Sequence, residues 1–76
     1  MNAYGIAEPL LVSPEYLESQ VQHRLGSRVR DLRVIVRQDG LILQGRAATY
    51  HAKQLAQHAA MEIAEMAILA NDIEVC

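Results

Sequence analysis

Hydrophobic positions change their spacing along the chain. Leu17, Val21 and Leu25 recur every four residues, which places them in one stripe on one side of a helix. Ser13-Pro14-Glu15 supplies the start. Ser13 can accept a hydrogen bond from an orphan N–H, Pro14 suits the first helical position, and Glu15 and Glu18 favour the positive end of the dipole. Gly26 offers a left-handed stop, with Arg24 near the carbonyl end. The pattern predicts a helix over about residues 14–25. Residues 26–31 follow as a polar connector from which Val29 tucks back toward the core.

From Arg33 to Arg46 the period falls to two, in the segment RVIVRQDGLILQGR. Asp39-Gly40 between two aliphatic runs signals a hairpin, because a type I′ turn needs positive φ at both central positions. A two-residue loop there pairs Gln38 with Leu41, Val36 with Leu43 and Val34 with Gly45. Alternation then puts Leu32, Val34, Val36, Leu41, Leu43 and Gly45 on one side, without a charge, and this is the expected core face. The other side holds Arg33, Ile35, Arg37, Ile42, Gln44 and Arg46. A one-residue slip would bury three arginines, so the register is well specified.

Thr49 opens a second helix as its N-cap. Ala52, Leu55, Ala56, Ala59 and Ile63 form its inner stripe, widened by Ala60 and Ala64, while His51, Gln54, His58, Glu62 and Glu65 fall outside. Acids near its C-terminal end oppose the dipole, so that end is expected to fray unless a partner supports it. Met66, Ile68 and Leu69 anchor the next turn. Asn71 to Val75 reads as a third strand, with Ile73 and Val75 inward and Asp72 and Glu74 outward, on the arginine side. More than twenty residues separate the second and third strands, enough for a right-handed crossover. The order is α-β-β-α-β, an α+β pattern. Residues 1–11, with Gly5 and Pro9 and no periodicity, read as a flexible arm, and residues 12–76 as one domain.

Composition narrows this picture. The chain has 76 residues, about half of them hydrophobic, with no Trp or Phe, so its core is aliphatic and its stability margin small. A single cysteine, Cys76, excludes an internal disulfide and removes any need for an oxidising compartment; it is an ordinary terminal residue or a dimer-forming thiol. MNAYGIAEPLLV resembles neither a secretory signal nor a membrane span, so a cytoplasmic location is expected, with peripheral membrane attachment compatible. The net charge is −2, but it is unevenly spread. All six arginines lie between positions 24 and 46, and against Asp31 and Asp39 they leave four positive charges in surplus. The flanking stretches are each acidic by three. The chain is polarised, for internal ion pairing or for an anion-facing patch.

The leucine-bearing helix, Val34-x-Val36, Gly40, Leu41-x-Leu43-x-Gly45, the alanine-rich helix and Asn71-x-Ile73-x-Val75 together resemble the BON domain, named for bacterial osmotically inducible and nodulation proteins. The likeness runs from about Glu15 to Val75 and is most specific at Asp39-to-Gly45 and at the closing strand. Asp39, Gly40 and Gly45 are its fold-determining turn positions. The resemblance implies two helices packed on one face of a three-stranded mixed sheet. It also implies a module that binds phospholipid surfaces or serves as an interaction unit in envelope proteins, and it carries no catalytic residues. The family's usual glycine before the last strand is replaced by the run Glu65 to Ala70, which suggests a longer second helix with Met66 or Ile68 exposed.

Candidate chemistry is sparse. Ser13 and Ser27 have no evident base, and no phosphate-cradling glycine loop is present. His51 and His58, seven apart on one helix, stand about 10.5 Å apart along its axis, too far to share a metal. His58 and Glu62 lack a third ligand. No enzyme activity and no cofactor are therefore expected. Nucleic acid fits poorly, because the arginines are not interleaved with aromatics. Two partners remain. One is an anionic phospholipid surface met by arginines. The other is a protein, including a second copy, met by the free edges of a three-stranded sheet or by Ile35 and Ile42. The candidate binding face is Arg33, Ile35, Arg37, Ile42, Gln44 and Arg46.

Overall fold

The structure is a computed structural model that describes residues 13–76; the arm expected over residues 1–11 lies outside the described residues. Helix α1 spans Pro14–Leu25, and a short 3-10 turn spans Gly26–Arg28. Strands β1 (Val29–Arg37) and β2 (Gly40–Ala47) form the hairpin, helix α2 covers Tyr50–Ala64, and β3 covers Ile68–Val75. The sheet order is β1-β2-β3, with β1 antiparallel and β3 parallel to the central β2. This is the expected α+β fold of two helices with a three-stranded mixed sheet.

Both helices begin where their caps dictate. The Ser13 hydroxyl accepts from the Tyr16 N–H, and the Thr49 hydroxyl from the Ala52 N–H at 3.0 Å, which satisfies donors the helix leaves unpaired. The buried stripe of α1 is Leu17, Val21 and Leu25, and that of α2 is Ala52, Ala56, Ala59 and Ala60. These pack with Val29, Leu32, Val34, Leu41, Leu43, Ala47 and Ile73 into one aliphatic cluster. Val36, Leu55, Ile63, Met66 and Ile68 close it from the sides. Small alanines on α2 let its backbone lie close to the sheet.

The hairpin differs from its expected register. Arg37 pairs with Gly40, Val36 with Leu41 and Val34 with Leu43, so Gln38 and Asp39 form the turn. Among the described residues only Asp31, Glu65, Gly26 and Gly45 have positive φ, which excludes the type I′ turn. The shift changes cross-strand partners by two positions and therefore keeps the faces. Gly40 is needed for close packing instead. A Cβ there would lie 2.6 Å from the Ala67 carbonyl oxygen and 2.8 Å from Leu69 Cγ, while the Leu41 N–H donates to that same carbonyl at 2.9 Å.

A bulge interrupts the connector and β1. Between the pairs Arg30–Arg46 and Arg33–Gln44, β1 carries Asp31 and Leu32 against the single residue Gly45. Asp31 takes φ 54°, a conformation its short polar side chain tolerates. Gly45 has φ 149°, and a Cβ on it would meet the Arg30 carbonyl oxygen at 3.0 Å. The extra residue reverses the alternation. Strict period two from Val34 would turn Arg30 inward; the bulge turns Val29 inward, with no exposed surface, and leaves Arg30 outside. The expected polar connector over 26–31 is thus a short 3-10 turn followed by strand.

The end of α2 also departs from expectation. The helix stops at Ala64, and Glu65 closes it in the left-handed conformation, with its N–H donating to the Met61 carbonyl. It is not lengthened, and Met66 and Ile68 are half-buried against the core rather than exposed. β3 starts three residues early, at Ile68, and a second bulge leaves Leu69 opposite no residue of β2. The apolar run Met66-to-Leu69 thus carries the strand entry. Val75 sits on the inward side beside Ala47 but projects past the helices and is 46% exposed.

Candidate functional site: the helix-free sheet face

Both helices lie on one side of the sheet, and among the described residues no element covers the other side. Cross-strand pairing arranges that side in rows. Ile35, Ile42 and Ala70 form one row, each half-buried by its neighbours. The next row is Arg33, Gln44 and Asp72, and the last is Arg30, Arg46 and Glu74, all exposed. Arg37 stands beyond the apolar row at the turn end of β1. The face is therefore ordered in two directions. Along the strands it passes from apolar to charged. Across them it passes from arginines on β1 to carboxylates on β3.

All six candidate face residues, Arg33, Ile35, Arg37, Ile42, Gln44 and Arg46, share this surface, as does the expected outward pair Asp72 and Glu74. Sequence alternation missed Arg30, which the bulge brings onto the face, and Ala70, which the longer β3 supplies. Only the positive-φ preference of Asp31 hints at the first in the sequence. Of the turn residues, Asp39 lies in the hairpin loop, Gly40 under Leu69 and Gly45 against the bulge.

Ion pairing within the molecule is slight. Among the described residues the one salt bridge joins Arg24 to Glu62 at 2.7 Å. It supports the C-terminal end of α2, where Glu62 opposes the dipole. Arg28, Arg30, Arg33, Arg37 and Arg46 take no part in a described salt bridge. Arg28, Arg30 and Arg46 instead converge at the sheet end, where with Ser27, Ala47, Ala48 and Cys76 they line a shallow pocket of about 290 Å³ with a largely apolar floor. The Cys76 thiol is exposed there, and its backbone N–H donates to the Ala47 carbonyl.

The sheet edges are less available than three strands would suggest. On β1, the Glu18 carboxylate accepts the Val34 N–H at 3.0 Å. On β3, Asn71 Oδ1 accepts the Ile73 N–H at 3.2 Å, while its Nδ2 donates to the Lys53 carbonyl and to Gln57 Oε1. Side chains thus occupy backbone donors that an added strand would use. At the other end of α1, the Ser13 hydroxyl donates to Glu15 Oε1 at 2.8 Å. That bond, with a second from the Glu15 backbone, holds the Glu15 carboxyl below the usual carboxylate range.

His51 and His58 are exposed on α2, and the described residues contain no cluster of three or more His, Cys, Asp or Glu placed to hold a metal ion. No described helix is long and apolar enough to cross a membrane. Comparison with family models, with curated proteins and with solved structures returns no match. The likeness to the BON domain therefore rests on the residues quoted for it.

Proposed function

We propose that this domain is a non-catalytic protein-binding module of BON type, and that its contact surface is the helix-free sheet face. The observation that carries the reading is the apolar row Ile35–Ile42–Ala70 beside rows whose charge changes sign from β1 to β3. Half-buried aliphatics favour an apolar partner surface, and an ordered mixture of charges sets its orientation and rejects like-charged competitors. A uniformly anionic surface would meet Asp72 and Glu74 as well as the arginines. A photo-crosslinking residue at position 42, with position 51 on the exposed side of α2 as control, tests this in the native cell. Protein adducts at 42 and none at 51 are expected. Lipid adducts alone at 42, or equal protein adducts at both positions, would refute the reading.

An anionic phospholipid surface is the second reading, favoured by the convergence of Arg28, Arg30 and Arg46 around one pocket. Each basic side chain near such a surface contributes about 1 kcal/mol. Flotation with vesicles containing phosphatidylserine at low salt should then retain the protein. Replacement of the three arginines by glutamine should release it. Protein left in the soluble fraction at low salt ends this reading.

A further inference from the structure

We infer that the occupant of the helix-free sheet face is a second copy of the chain, related by a two-fold axis that runs parallel to β2 between the two stacked sheets. The inference rests on the protein-binding reading of that face and names its partner. Stacking two identical faces allows two simple axes, and the charge order separates them. An axis across the strands sets β1 over β1 and β3 over β3, so arginines oppose arginines and carboxylates oppose carboxylates. An axis along the strands sets β1 over β3 of the other copy and keeps each row over itself. Ile42 then meets Ile42, Gln44 meets Gln44, Ile35 meets Ala70, Arg33 meets Asp72 and Arg30 meets Glu74, while Arg46 meets Arg46 on the axis at the far end. The apolar row is desolvated at one end, and four opposite-charge pairs form beside it against a single like-charge contact, Arg46 with Arg46, at the open end of the face.

The size of the face sets the strength. Three strands about 4.8 Å apart, with eight residues rising about 3.3 Å each, give a footprint of roughly 350–400 Å² per chain. A standard interface covers about 800 Å² per partner. Association is therefore expected to be weak and concentration-dependent, and the edge donors taken by Glu18 and Asn71 favour the face over the edges.

Sedimentation equilibrium of the full chain up to millimolar concentration, with two charge reversals, tests this. The wild type should show a reversible monomer–dimer equilibrium. Arg33→Asp and Asp72→Arg alone should each weaken it by at least about tenfold, because each creates two like-charge contacts per dimer. An equimolar mixture of the two variants should recover association, because both inter-chain contacts are then opposite in sign. Both positions are exposed, so unfolding midpoints should stay near the wild type. A mixture that stays as weak as the single variants overturns the inference. So does a wild type that remains monomeric at millimolar concentration. If position 42 still gives protein adducts in the cell in that case, the face binds a different protein, and only the self-pairing falls. If it gives none, the protein-binding reading of the face falls together with the self-pairing.

Discussion

Gly40 shows how a residue can be placed by one pattern and required by another. Asp39-Gly40 marks the hairpin in the sequence, yet the glycine is indispensable because Ala67 and Leu69 lie where a side chain would begin. A Gly40→Ala chain should lose about 1–3 kcal/mol, read as a lower urea midpoint with unchanged slope, since the backbone carbonyl at 2.6 Å has little freedom to retreat. Glu15 makes the second expectation at this scale. Its carboxyl is lowered by the Ser13 hydroxyl first and by its own backbone second. Its folded form thus binds protons less readily than its unfolded form. The stabilising contribution is present above the ordinary carboxylate range and is lost as pH falls through the lowered value. NMR titration should place Glu15 below the ordinary glutamate value, and Ser13→Ala should raise it. Residue-level chemistry of this kind was largely visible in the sequence. Ser13, Thr49, Leu17 and Val21 all sit where their caps and spacing put them, because those signals act over four residues or fewer.

Elements were legible as types and less so as registers. The hairpin faces were correct even though the partner assignments were displaced, because a two-position shift preserves parity. The bulge at Asp31–Leu32 and the early start of β3 were not readable. Both depend on which backbone groups meet across strands, and beyond the positive-φ tolerance of Asp31 no local pattern encodes that. The end of α2 shows the same limit. Glu65 occupies a left-handed cap that glycine fills at no steric cost, so Glu65→Gly should stabilise the fold by about 1 kcal/mol, measured by thermal unfolding. A neutral or destabilising result would mean that the Glu65 side chain supports the strand entry. Glu18 and Asn71 belong to this scale as well. Each ties one backbone donor of a strand edge to a side chain, which makes that edge less open to an added strand.

For the whole molecule, the decisive property is that one sheet has two unlike sides. Neighbouring residues on β2 should therefore respond in opposite ways. Leu43→Ala removes a side chain with no exposed surface and should cost about 2–5 kcal/mol. Ile42→Thr, one position earlier and on the other side, should cost less than about 1 kcal/mol. Chemical denaturation of the two variants under the same conditions checks this, and comparable losses would show that the second side is buried as well. Sequence alternation separated these sides, and six residues of the candidate surface could be named from it. Alternation also puts Asp72 and Glu74 on the arginine side, but the order of charge across the strands is set only by β3 lying beside β2.

The additional residue in β1 has a consequence for how this chain can change through evolution. Removing Asp31 alone would straighten the ladder, set Leu32 opposite Gly45 and keep Arg30 opposite Arg46, so that Val29 stays inside and Arg30 outside. Deletion of Asp31 should therefore be absorbed, whereas deletion of Leu32 would set Asp31 in a buried place and should cost much of the fold, a contrast that thermal unfolding of the two chains checks. The surplus position is thus a place where β1 can lose a residue without exchanging its two sides.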